Sequence, residues 1–262
     1  MSTTFSGAIF DVDGVLVDSP HERAWREALR ELFETHWSDV RGQTTYAPER
    51  FTPHVYQQVV SGRPRMDGAL AALQYFQVPQ AETRMESYAN RKQQMVLDLI
   101  GAGEFTAFPD ALCFVLAMRG AGIGLATASS SKNANLMLRQ VRLDTFAEEH
   151  RLDYDFVRPG LSLLEIFDVD TSGRDLAHGK PDPEIFLDAA AELRAAPVDC
   201  LVVEDAVAGV QAAKAGGMTA LGVARAGDAA LLAAAGADMV VTTLDDVDVD
   251  LLRDGRLAKR QE

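Results

Sequence analysis

Cysteine is scarce in this chain: Cys113 and Cys200 are the only two among 262 residues. Both sit inside apolar runs, ALCFVLAM and DCLVVED, with no CxxC pair and no neighbouring histidine. That excludes a disulfide framework and a thiolate zinc site, and both side chains are expected to be small buried hydrophobes. Long hydrophobic runs are missing too. No window approaches the ~18 consecutive apolar residues of a membrane span, and the N-terminal MSTTFSG has neither the basic start nor the apolar centre of a signal peptide. A cytoplasmic location without a membrane partner is expected. Positive charge is short as well. Against 39 Asp and Glu stand 25 Lys and Arg, a formal net charge of −14, which opposes binding to nucleic acid or anionic lipid. Two nucleotide-binding signatures also fail. Gly120-Ala121-Gly122-Ile123-Gly124 precedes a strand pattern instead of following one, and Gly179-Lys180 is followed by Pro181, not by Ser or Thr.

What is present is a globular composition, 47% hydrophobic and 24% charged. Short apolar runs at Ala8–Phe10, Ile123–Ala126, Leu201–Val203, Ala220–Val223 and Met239–Val241 read as buried parallel strands. Amphipathic patterns at Asp110–Arg119, Ala134–Val141, Ile185–Leu193, Val207–Ala215 and Ala229–Ala235 lie between them. Strand alternating with helix predicts an α/β fold, a doubly wound parallel Rossmann-like core. One stretch breaks the alternation. From residue 20 to residue 104 the periodicity is helical throughout, in His21–Phe33, Phe51–Val60, Met66–Phe76 and Ala81–Ile100. The expected organisation is a core of residues 1–19 and 105–262 with a helical domain, 20–104, inserted after the first strand. Residues 142–179 yield one strand candidate, Ile166–Val169, and otherwise read as loop; the terminal LAKRQE reads as a frayed end.

The chemistry begins at AIFDVDGV, residues 8–15, where an apolar strand stops at two acids two residues apart. In a doubly wound sheet, ligands bind beyond the carboxyl ends of the strands. Other such ends carry Thr127-Ala128-Ser129, followed by Lys132 and Asn133, and Glu204-Asp205; Lys180 precedes a helix start at Pro181-Asp182-Pro183. Carboxylates, a hydroxyl and a lysine converging on one crevice suit phosphoryl transfer. A carboxylate can attack phosphorus, a hard divalent cation offsets its repulsion from the phosphate, and a lysine and a hydroxyl stabilise the transferring group. On this reading Asp11 attacks, Asp13 is the acid/base, and Thr127 and Lys180 contact the phosphoryl oxygens. The metal set comes from Asp11, Asp13, Glu204 and Asp205, with Glu204 either a direct ligand or an acid behind the ligands. Asp182 reads as a helix N-cap with Pro183 at the first helical position. His36, His54, His150 and His178 read as surface or loop residues, whereas His21 falls near the Asp13 loop.

These motifs resemble the haloacid dehalogenase superfamily of aspartate-nucleophile phosphotransferases. DVDGV at 11–15 matches its first motif, Thr127 its Ser/Thr motif, Lys180 in GKPDPEIF its lysine motif, and VVEDAVAGVQAAKAGG at 202–217 its acidic motif. The helical insertion falls where that superfamily places its cap. Within it the chain is similar to the β-phosphoglucomutase subfamily: His21-x-x-x-Trp25 follows the first motif, TASSSKN at 127–133 is close to SASKN, and PRMDGAL at 64–70 lies where that group has an arginine loop. The resemblance implies a Mg²⁺ cofactor and conversion of β-glucose 1-phosphate to glucose 6-phosphate, or else hydrolysis of a small sugar phosphate. It implies that His21, Arg65, Lys92, Ser129, Lys132 and Asn133 bind substrate, Arg65 and Lys92 holding the phosphate that does not react. The expected partner is one small phosphorylated metabolite, and a monomer is expected. The sequence departs from the subfamily by one extra serine, leaving open which of Ser129, Ser130 and Ser131 contacts ligand, and by a longer 142–179 segment.

Overall fold

The computed structural model of the chain describes residues 4–260. Among them, eight strands form: β1 (Gly7–Phe10), β2 (Val17–Asp18), β3 (Thr106–Ala107), β4 (Gly124–Thr127), β5 (Val169–Asp170), β6 (Cys200–Glu204), β7 (Thr219–Val223) and β8 (Met239–Val241). Six build one sheet in the order β5-β4-β1-β6-β7-β8, every pair parallel. All four residues of β1 and all five of β6 are buried, so apart from Glu204 at the end of β6 their sequences are apolar without alternation, as a sheet covered on both faces requires. The strand after β1 in this sheet, β4, lies on one side of it and β6 on the other. That makes β1 the switch point, and its carboxyl end opens onto the crevice between diverging crossovers.

The insertion carries α1 (His21–Thr35), α2 (Pro53–Val59), α3 (Arg65–Tyr75) and α4 (Ala81–Gly101). The core adds α5 (Pro109–Gly120), α6 (Ala134–Leu138), α7 (Leu143–Glu149), α8 (Glu184–Leu193), α9 (Val207–Ala215), α10 (Ala229–Ala234) and α11 (Val249–Arg253). Helix α1 buries Ala24, Trp25, Ala28, Leu29, Leu32 and Phe33, a stripe at three- and four-residue spacing. Thr52 caps α2 by accepting the Val55 N–H, with Pro53 at the first position. The inserted helices share an apolar cluster of their own, built on Trp25, Leu29, Phe33, Phe51, Leu73, Phe76 and Tyr88. Separate clusters cover the sheet's two faces. The chain enters and leaves the insertion side by side, because β2 and β3 pair antiparallel with Val17 opposite Ala107.

Several expectations shift. Only Val169 of the expected Ile166–Val169 strand belongs to β5, and Leu164–Ile166 is a 3₁₀ turn. Just before β5, Asp168 ties the chain to β4: its Oδ2 accepts the Leu125 N–H at 2.9 Å and pairs with Arg119 at 2.6 Å. Helix α6 ends at Leu138 instead of Val141. The unpredicted α7 and α11 have seven and five residues, too few for periodicity to register. Helix α8 starts at Glu184 with Pro183 as its cap residue; Asp182 sits one position earlier and accepts the Glu184 N–H at 3.0 Å. The described part of the tail is held: Ala258 accepts from Asp248 and Arg260 donates to Asp246. The last two residues of LAKRQE lie outside the described residues. Cys200 is buried and Cys113 half-buried, both as thiols.

Candidate active site

The loop before α8 delivers Lys180 to the foot of the crevice, where it is 2% exposed. Its Nζ donates to Asp11 Oδ1 at 2.6 Å, to Glu204 Oε1 at 2.6 Å and to the Ala128 carbonyl at 3.0 Å, using all three ammonium protons. Burial opposes its charge, but the flanking Asp11 and Glu204 carboxylates win and hold it above the ordinary lysine value. Glu204 spends its other oxygen on the N–H groups of Asp205 and Ala206, 3.0 Å each. Burial pushes Glu204 up to about 7, against the pull of Lys180. Packing here is close: a Cβ on Gly209 of α9 would fall 1.8 Å from Glu204 Oε1. At the other wall Gly14 takes φ +84°, and a Cβ there would fall 2.0 Å from Asp205 Oδ2. A side chain at either position would therefore have to displace the acid beside it.

Asp11, Glu204 and Asp205 are all buried, and one oxygen from each lies within 4.8 Å of the others. Burial raises Asp11 and Asp205 above the ordinary carboxylate range, and the neighbouring acids add to it. Among the described residues, the one ammonium beside these three buried acids pairs with Asp11 and Glu204 and leaves Asp205 without a cation, a charge imbalance that is costly unless a cation offsets it. An all-oxygen donor set with surplus negative charge fits a hard divalent cation. Asp11 and Asp205 have oxygens to offer; Glu204 is already engaged on both oxygens, which favours it as the acid behind the ligands.

Asp13 lies above this cluster, raised by burial. Its Oδ1 is buried with no partner among the described residues, and its Oδ2 is 3.4 Å from His21 Nε2. Lys92 Nζ lies 2.7 Å from His21 Nδ1. As an ammonium, Lys92 would donate to Nδ1 and place the imidazole proton on Nε2, which lies 3.1 Å from Ser131 Oγ. Burial and then Lys92 hold His21 well below its ordinary value. Lys92 itself stands 4.7 Å above the Trp25 ring, and burial lowers it to about 7.

These groups open onto a cavity of about 370 Å³ between insertion and core, within the usual range for small-molecule sites. Arg63, Arg65, Lys92, Lys132, Arg174 and Lys180 line it, against Asp11, Asp13 and Asp175. The acidic chain thus supplies local positive charge where an anion would sit. Among the described residues, Arg63 and Arg65 have no carboxylate within ion-pairing distance. Lys132 pairs with Asp175 at the rim. The insertion is tied to the core by Ser130 Oγ, which donates to the Gly62 carbonyl at 3.0 Å, and by a reciprocal amide pair of Gln93 and Asn133 at 2.8 and 3.2 Å. The three serines divide: Ser130 bridges to the insertion, while Ser129 Oγ accepts the Ser131 N–H. All three line the cavity.

Thr127 is the exception among the expected site residues. It is fully buried, and its hydroxyl donates to Asp170 Oδ1 at 2.9 Å. Its neighbour in β5 explains this, since Thr127 stands opposite Asp170 in register. Sequence reasoning missed Asp170, Arg174 and Asp175 because they fall in the illegible 142–179 segment. It missed Gln57 and Gln93 because nothing in a helical pattern distinguishes an inward polar side chain from an exposed one, and Arg63 because it is an exposed residue of the turn between α2 and α3.

A parallel sheet whose switch-point strand ends in buried acids, locked to a buried lysine and roofed by a helical insertion, defines the haloacid dehalogenase-like class. The model of the haloacid dehalogenase-like hydrolase family matches residues 5–217; the chain belongs to that family and is an enzyme of that superfamily. The β-phosphoglucomutase of Mycobacterium tuberculosis is 31% identical over 91% of this chain and 90% of its own length. The phosphorylated carbohydrates phosphatase of Thermotoga maritima is 28% identical over 80% of this chain and 81% of its own. The crystal structure of an archaeal β-phosphoglucomutase from Pyrococcus sp. strain ST 04 superposes with a TM-score of 0.63 at 29% identity, covering 94% of this chain and 96% of that one.

Proposed function

We propose that the protein is a Mg²⁺-dependent sugar-phosphate mutase of the β-phosphoglucomutase type, which converts β-glucose 1-phosphate to glucose 6-phosphate through an aspartyl-phosphate on Asp11. Residues 20–104 act as a cap on a core of residues 1–19 and 105–262. The observation that carries the reading is the pair Arg63 and Arg65, unpaired among the described residues, on the cap wall of a cavity whose floor holds Asp11. A second anion site far from the reacting one is what a mutase needs and a simple phosphatase does not.

Starting from phosphorylated Asp11, the 6-hydroxyl of β-glucose 1-phosphate attacks the aspartyl-phosphate, its proton passes to Asp13, and the bond between Asp11 and phosphorus breaks to give a sugar bisphosphate. The raised affinity of Asp13 for its proton suits it to that task. In the second step Asp11 attacks the phosphorus at C1 of the bisphosphate while that ester P–O bond breaks, and Asp13 gives its proton to the departing oxygen, leaving glucose 6-phosphate and phosphorylated Asp11. Lys180 holds Asp11 in line and neutralises the transferring group. His21 stands beside Asp13 at 3.4 Å, with Lys92 packed behind it. Arg65 and Lys92 hold the unreactive phosphate, with Ser129, Lys132 and Asn133 on the facing wall. Mg²⁺, held by Asp11 and Asp205 with the Asp13 loop beside them, would supply charge neutralisation for the incoming dianion. Cap–core hydrogen bonds at Ser130–Gly62 and Gln93–Asn133 keep water from the site, so the phosphoryl group passes to a sugar hydroxyl.

The test is incubation with β-glucose 1-phosphate, following glucose 6-phosphate and inorganic phosphate together. Isomer formation in excess over phosphate release supports the mutase. Phosphate release without isomer assigns the chain to the sugar-phosphate phosphatases.

A further inference from the structure

A second cavity, of about 250 Å³, opens on the hinge side of the acids. Its walls invert the charge of the first: Asp13, Asp18, Glu22 and Asp205 line it, and its one cation, Arg225, is committed to Asp110 at 2.8 and 3.0 Å. Of the cap residues that line it, Gln57 reaches Asp205. Gln57 on α2 is 8% exposed, and its Nε2 donates to Asp205 Oδ2 at 3.3 Å. Its Oε1 is buried with no hydrogen-bond partner among the described residues. A buried amide oxygen without a donor is costly unless something else supplies one, and a cation or its bound water is what this acidic space would supply.

We infer that Gln57 is a cap-borne positioning residue for the divalent-cation site, so that cation binding and cap closure are linked. Its Nε2 fixes the rotamer of Asp205 and leaves the other carboxylate oxygen to the cation, and its Oε1 accepts from the cation's water shell. Because Gln57 leaves with the cap, the site is complete only when the cap is down. Linkage is reciprocal: the cation stabilises closure as much as closure tightens the cation. The inference rests on the reading that Asp11 and Asp205 hold the cation.

Mn²⁺ titration of the full chain, followed by electron paramagnetic resonance, tests it apart from turnover. Gln57→Leu is expected to weaken Mn²⁺ binding about tenfold, the usual scale for losing a residue that orients a metal ligand. Gln58→Leu, on the same helix but exposed, is expected to bind as the native protein does. If the leucine variant does not fold, Gln57→Asn, one methylene too short to reach Asp205, is expected to show the same loss. Native Mn²⁺ affinity in the Gln57 variants, with binding lost in Asp205→Asn, overturns the inference and leaves the metal reading intact. Equal loss in the Gln58 and Gln57 variants also overturns it. Native Mn²⁺ affinity in Asp205→Asn overturns the metal reading itself.

Discussion

Lys180 Nζ and Asp11 Oδ1 stand 2.6 Å apart although 169 residues separate them in the chain. The same ammonium holds Glu204, so one buried cation organises both acidic strand ends. Replacing it with an apolar side chain of similar length leaves buried carboxylates unpaired, which costs about 3–5 kcal/mol. Urea unfolding of Lys180→Met should register that loss, and turnover should fall ~10²-fold or more. Lys180→Arg should rescue neither, because a planar guanidinium cannot make the three-way contact of a compact ammonium. Native stability in Lys180→Met would remove the ion pair from the account.

Gly209 offers a test in which local and tertiary preferences oppose each other. Within a helix, Gly→Ala ordinarily stabilises by up to ~1 kcal/mol. Here the new Cβ would fall 1.8 Å from Glu204 Oε1. Gly209→Ala is therefore expected to lower the melting temperature and reduce turnover together. A rise in melting temperature with unchanged turnover would mean that the Glu204 carboxylate is free to move.

The Lys92–His21 pair predicts a pH dependence of stability. Burial holds Lys92 down to about 7, against an ordinary 10.5. Between those values the unfolded chain carries a proton that the folded chain has shed, so stability rises with pH across that window. His21 acts in the same direction at lower pH: its folded value is depressed, and its contribution is lost as pH falls below 6.5. The unfolding free energy should climb from about pH 7 to about pH 10.5, and Lys92→Met should flatten the climb. Parallel slopes in the two proteins would contradict the burial argument.

Arg65 separates transfer to a sugar from simple hydrolysis. A charged hydrogen bond to a phosphate contributes about 1.5–3 kcal/mol, so Arg65→Ala should slow isomer formation ~10–100-fold. Phosphate release from a small substrate such as p-nitrophenyl phosphate, which has no second phosphate to hold, should hardly change. Equal losses on both substrates would place Arg65 in the reacting site instead.

The core was legible because buried parallel strands carry their own signal. Ala8–Phe10 and Leu201–Val203 are apolar on both faces, and the residues that end them, Asp11 and Glu204-Asp205, stand out against that background. The inserted helices were legible from stripes such as Trp25, Leu29 and Phe33. Tertiary partners were not. Thr127 points to Asp170 because β5 sets that register, and β5 is two residues long inside a stretch without periodicity. Gln57 and Arg63 lie among exposed polar residues of similar type, and only the seating of the cap distinguishes them.

The central claim is that phosphoryl transfer runs through Asp11. Acid quenching of the enzyme during turnover of β-glucose 1-phosphate, followed by digestion and mass spectrometry, reads it directly. The expected result is a phosphoryl group on the peptide that contains Asp11, absent from Asp11→Asn, which should also have lost turnover. A phosphoryl group on another residue, or an Asp11→Asn variant that still turns over, would contradict the account.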